Sequence, residues 1–230
     1  MRIQLIDWTY PCNPMKKLLN LEPYQALSHA EDLVPLQKIP SAQDFPQGYT
    51  SILSCATLIQ LFDELFLPTL GTRLCGSSDE PIYLPASETS GANEIHFTRD
   101  YFASALHEIA HWCVAGAERL KHIDFGYWYA PDGRSAEQQD EFERVEVKPQ
   151  ALEWIFSVAC GARFNVSADN LAQGLGASAL FKQAIVDQAH YYCQNGLPLR
   201  AKNWVETLAA CFQVPDPLNL YHYQREFLDK

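Results

Sequence analysis

Nowhere in these 230 residues do roughly 18 apolar residues run together, so no membrane-spanning helix is expected. A secretory leader needs an unbroken apolar stretch behind its basic start. Here Arg2 is followed within a few residues by Asp7, and that pattern is missing. A cytoplasmic protein is expected. Basic residues are scarce: Lys and Arg number 17 against 28 Asp and Glu, a net charge of −11. That balance excludes a general nucleic-acid binder, which needs clustered cations to neutralise phosphates. The seven cysteines (Cys12, Cys55, Cys75, Cys113, Cys160, Cys193 and Cys211) contain no CxxC pair. This excludes a zinc ribbon and a disulfide framework, and leaves reduced thiols. There are no internal repeats and no low-complexity runs.

What is present suits one hydrophobic core, since 47% of the residues are hydrophobic and the length is short for two domains. Six of the 14 prolines fall in residues 1–48, a density that no long helix survives. This stretch is expected to be an N-terminal arm, residues 49–215 the catalytic domain and residues 216–230 a C-terminal tail. Apolar positions from Ile52 to Phe66 recur at helical spacing and predict a helix stopping around Pro68 and Gly71. Residues 81–86 and 94–98 read as short strands. A long helix is predicted over about 100–120, with Thr98 or Asp100 as its N-cap. Residues 124–130 look strand-like, and residues 131–134 carry turn chemistry. Residues 135–159 read as an acidic helix followed by an apolar one, with Pro149 starting the second or kinking a continuous one. Two more helices are predicted at 177–194 and 200–212. The fold class is α+β, predominantly α.

The chemistry concentrates in His107-Glu108-Ile109-Ala110-His111, an HExxH motif. Residues four apart lie on one helix face, so both imidazoles can converge on one cation, with Glu108 beside its open side. Two histidines rarely hold a metal alone, and a carboxylate from a downstream helix should complete the set. Glu137, Asp140, Glu141, Glu143, Glu146 and Glu153 are candidates, with Asp124 a further one. Glu143, Glu146, Gln150 and Glu153 share one helical face, and Glu146 is favoured because it directly precedes the apolar run. Two histidines and a glutamate leave coordination positions open. Zinc in such a site activates water in hydrolases, with the motif glutamate as general base. Iron(II) on the same donors binds oxygen and substrate in non-haem oxygenases. A closed structural zinc site would use four ligands rich in Cys, which the spacing here does not supply. Tyr127, Trp128 and Tyr129 suit a pocket wall, and Tyr127 with Asp132 can receive an ammonium group by cation–π and charge attraction.

Longer motifs carry a resemblance. Glu80-Pro-Ile-Tyr-Leu-Pro-Ala86, Tyr101-Phe-Ala-Ser-Ala-Leu-His-Glu-Ile-Ala-His-Trp-Cys113, Asp124-Phe-Gly-Tyr-Trp-Tyr129, Pro131-Asp-Gly-Arg134, Val145-Glu-Val-Lys-Pro-Gln-Ala-Leu152 and Phe164-Asn-Val-Ser167 together resemble the bacterial elongation factor P hydroxylases, over about residues 51–214. The resemblance implies hydroxylation of a lysine of translation elongation factor P that already carries a β-lysyl group. It implies a divalent metal with O2 as co-substrate, held by His107, His111 and Glu146, with Glu143 the competing carboxylate. Iron(II) is expected, with zinc and a peptidase-type hydrolase as the alternative. The implied fold is closer to HExxH metallopeptidases than to the double-stranded β-helix of 2-oxoglutarate oxygenases, which argues against a 2-oxoglutarate requirement. The modified lysine is long and doubly cationic, whereas the factor itself is acidic. A basic patch of Arg134, Arg144 and Lys148 is therefore expected near the mouth of the site, with Arg134 as a substrate-binding residue.

Overall fold

The computed structural model describes residues 53–124, 133–168 and 176–229. All belong to Leu36–Lys230, the second of two compact units into which the chain divides. The N-terminal arm and the segment bearing Tyr127 and Asp132 lie outside the described residues.

Helix α1 (Cys55–Leu70) starts on Ser54, whose hydroxyl accepts from the Thr57 amide, and ends at Gly71 in the left-handed region at φ +58°. It buries Leu61, Phe62, Leu65 and Phe66 as the spacing predicts, and Leu58 in addition, whereas Leu53 and Ala56 at its start are exposed; it runs through Pro68 to the expected stop at Gly71. Strands β1 (Thr72–Ser78), β2 (Ile82–Leu84) and β3 (Asn93–Thr98) form a mixed sheet in the order β1-β3-β2. β1 runs parallel to β3 and β2 antiparallel to it. β1 was not predicted. On this edge strand the Leu74 amide donates to Asp63 of α1 at 2.8 Å. Thr72, Leu74, Ile95 and Phe97 turn into the core, and the alternating residues form the other face.

The turn from β3 into the next helix carries Arg99 and Asp100, both at positive φ. Asp100 does not cap that helix as expected. Its carboxylate accepts from the Ser77 amide instead, at 3.1 Å. Gly76 makes this approach possible, because a Cβ there would collide with the Asp100 carboxylate. Helix α2 (Phe102–Val114) therefore begins after Tyr101 without a side-chain cap. It also ends earlier than predicted. Arg200 donates to the carbonyls of Cys113 and Ala115, placing a cation on the helix C-terminus, and its guanidinium lies 4.8 Å from the Trp112 ring. A short 3-10 turn (Arg119–Lys121) follows.

Helix α3 (Ala136–Cys160) is one continuous helix, with Pro149 inside it. Ser135 and Gln138 form a capping box at its start. Helices α4 (Ala179–Asn195) and α5 (Leu199–Phe212) pack against it. The expected tail is part of the core: two 3-10 turns (Leu220–His222 and Arg225–Asp229) flank Tyr223, which is fully buried edge-on to Trp154 of α3. The class is α+β, mostly α, as the sequence predicts. Among the described residues no helix is long and apolar enough to cross a membrane.

Candidate metal centre

α2 lies against α3. Its buried side comprises Ala105, Leu106, Ile109, Ala110, Trp112 and Cys113, and the alanines let the two backbones approach. His107 and His111 stand one turn apart on the margin of that contact. Opposite them α3 presents Glu143, Glu146, Gln150 and Glu153, all buried although polar. Such a face is stable only where each group has a partner.

The partners separate the two competing carboxylates. Glu143 is taken by the start of α4: the Ser178 hydroxyl and amide donate to it at 2.5 and 3.0 Å. Glu146 faces the histidines, with one oxygen 3.3 Å from His111 Nε2 and the other 3.6 Å from His107 Nε2. The two Nε2 atoms are 3.0 Å apart. Glu153 accepts from His107 Nδ1 at 2.8 Å, and His107 Nε2 faces Glu146 and His111; in the neutral ring that bond fixes the proton on Nδ1 and leaves a lone pair on Nε2. Gln150 donates to Glu146 at 3.3 Å and is held by Ser167, whose carbonyl accepts at 2.6 Å and whose amide donates at 3.1 Å.

Whether these residues fit a metal can be tested on their donors. A cation about 2.1 Å from three donors, at tetrahedral or octahedral angles, spaces them about 3.0–3.4 Å apart. The two Nε2 atoms are 3.0 Å apart, and each faces a different oxygen of Glu146, at 3.3 Å for His111 and 3.6 Å for His107, a spacing close to that of such a shell and slightly wider on the His107 side. With both imidazoles neutral, the form a metal binds, every converging atom is an acceptor and a cation among them completes the arrangement. The local field agrees. Burial disfavours a charge on His107, but the Glu153 hydrogen bond and the surrounding carboxylates outweigh it and push the imidazole up to about 10. Burial likewise opposes ionisation of Glu146, but His111 and His107 bring it down to about 2.

Glu108 sits beside the two histidines on α2. With His111 it lines a cleft of about 30 Å3, large enough for a water- or dioxygen-sized molecule. Tyr83, Arg119 and Asp124 form the far wall. Burial pushes the Glu108 carboxyl up, while His107 and His111 act against the shift. Asp124 is not gathered with the metal-facing donors. Its carboxylate pairs with Arg119, and its backbone bridges to Tyr83. Tyr83 and Arg119 had no place in the motif reading, although Tyr83 stands inside the Glu80–Ala86 segment that carries the resemblance.

Arg134 is buried, where a surface cation was expected. It is 3% exposed, donates to Gln139 at 2.7 Å and to the Ala168 carbonyl at 3.5 Å, and lies 4.2 Å over the Phe142 ring. These contacts tie the start of α3 to residue 168. Arg144 is exposed and paired with Glu141.

A buried carboxylate from one helix facing two histidines from another makes a two-histidine, one-carboxylate group that could hold a divalent metal. Residues 61–223 match the family described as elongation factor P hydroxylase, and the chain belongs to that family. It is 52% identical over 163 residues to the elongation factor P lysine hydroxylase of Haemophilus influenzae, covering 71% of this chain and 92% of that relative.

Proposed function

We propose that this chain hydroxylates the β-lysylated lysine of elongation factor P in a reaction that depends on iron(II) and O2. The convergence of His107, His111 and Glu146 in a member of this family carries the reading. Hydroxylation inserts one atom of O2 into a C–H bond. The other atom leaves as water, taking two electrons and two protons from an external reductant. Iron(II) bound by these three side chains would supply oxygen activation at its open positions.

The chain's own residues do the rest. Glu153 holds the His107 ring in the tautomer that presents Nε2. Gln150 steadies Glu146. Glu108, its carboxyl raised by burial, is placed to hold a proton on the wall of the cleft. Tyr127 and Asp132 receive an ammonium group of the lysyl-lysine. That assignment requires Tyr127→Ala to raise KM for the modified factor, and an unchanged KM would remove it.

The deciding experiment is the intact mass of β-lysylated elongation factor P after incubation with this protein, iron(II), a reductant and O2. A gain of one oxygen atom, lost with His107→Ala, is expected. No gain, with cleavage of a peptide by the zinc-loaded protein, would favour a hydrolase. Glu108→Gln separates the two as well. It should retain the metal and keep hydroxylation within about a hundredfold of the parent, whereas a hydrolase deprived of its general base loses about 10^2–10^4.

A further inference from the structure

The outer face of the sheet carries a second group of ligand-type side chains that the family reaction does not use. Cys75 of β1 stands opposite His96 of β3 in the parallel ladder, and Glu94 lies two residues before His96 on the same face. One donor atom from each of the three (sulfur, imidazole nitrogen and carboxylate oxygen) lies within 4.8 Å of the other two. Glu94 and His96 are only 20% and 24% exposed. The placement is rigid, because Leu74, Ile95 and Phe97 are locked in the core on the opposite face and a register slip would expose them.

We infer that Cys75, Glu94 and His96 form a second cation site, selective for a zinc-class divalent ion. A thiolate, an imidazole and one carboxylate oxygen suit a borderline-soft cation, whereas magnesium and calcium take all-oxygen shells. Glu94 has an oxygen to give. Arg73 lies 4.0 Å from Oε1, while Oε2 is the atom turned to His96 at 3.0 Å. The Arg73 guanidinium is also engaged by the Ser90 carbonyl at 3.3 Å. As a bare thiol Cys75 is a poor redox nucleophile, since burial first and then Glu94 push it up to about 11. A cation here pins β1 to β3 at the point where their register shifts, between Cys75 and Ser78. Ile95, between the two ligands of β3, faces the opposite way and lines the Glu108 cleft. The two sites thus lie on opposite faces of one strand.

Sulfur distinguishes this site from the catalytic one, which has no thiol. The test is cobalt(II) titration of the full chain carrying Glu146→Gln, read by the thiolate-to-cobalt charge-transfer absorption in the near ultraviolet. About one equivalent is expected to saturate the band, and adding Cys75→Ser or His96→Ala should abolish it while near-ultraviolet circular dichroism shows the fold intact. Absence of the band, or its survival in Cys75→Ser, would overturn the proposal. Zinc protection of Cys75 from alkylation, located by peptide mass in the unsubstituted protein, tests the same site without any variant. Equal labelling with and without zinc would also overturn it.

Discussion

Glu146→Gln is expected to weaken metal binding by about 10^2–10^4-fold and to take hydroxylation down with it. The side chain is 3% exposed and sits between two imidazole nitrogens, so the amide keeps the shape and loses the charge. Removing one partner from a buried charged group costs about 3–5 kcal/mol, which corresponds to that range of affinity. Two neighbours on the same helix face give graded controls. Glu153→Gln removes the acceptor that orients His107 and should cost about 10–100-fold in metal affinity. Glu143→Gln should keep the metal and lower stability by about 1–3 kcal/mol, because Glu143 serves the Ser178 amide and hydroxyl. Metal content after gel filtration, with thermal unfolding alongside, reads the series. Loss of the metal in Glu143→Gln with retention in Glu146→Gln would reverse the assignment of the third ligand.

The shared face of Glu143, Glu146, Gln150 and Glu153 was legible from helical period alone, as was the convergence of His107 and His111. The preference for Glu146 over Glu143 rested in the sequence only on its place before the apolar run; the contact that separates them did not show there. It depends on Ser178, remote in sequence, which starts α4 and claims Glu143. β1 was illegible for a similar reason. Thr-Arg-Leu-Cys-Gly-Ser-Ser has weak strand chemistry, and it becomes a strand through its parallel partner β3 and through Asp63 on its edge amide. The end of α2 was misplaced because the local stop signal, Gly116 directly after the C-cap Ala115, was passed over; Arg200 of α5 then takes up the carbonyls of Cys113 and Ala115. Arg134 reads as a surface cation in sequence. Its burial follows from a ring, an amide and a carbonyl contributed by Phe142, Gln139 and Ala168. Local periodicity thus placed the helices and the motif, and contacts distant in sequence set which polar side chains face it.

The same distinction makes Tyr223→Ala the second large effect expected. Nothing around residue 223 marks a core position, yet its ring is fully buried and stands edge-on to Trp154, with centroids 5.2 Å apart. Its hydroxyl donates to the Pro217 carbonyl, and its own carbonyl accepts from His190 of α4 at 2.8 Å. Truncating a buried aromatic to alanine costs about 3–5 kcal/mol. In a chain of this size that lowers Tm by about 6–20 °C. Tyr223→Phe keeps the ring and loses one hydrogen bond, so about 1 kcal/mol is expected. Trp154 is the residue next to Glu153, so the turn bearing Tyr223 backs the part of α3 that orients His107. Saturating metal should therefore recover part of the lost Tm in Tyr223→Ala, since a ligand that binds only the folded state stabilises it. Differential scanning calorimetry with and without metal measures both quantities. A Tm within about 2 °C of the parent for Tyr223→Ala would show that the C-terminal segment does not support the site.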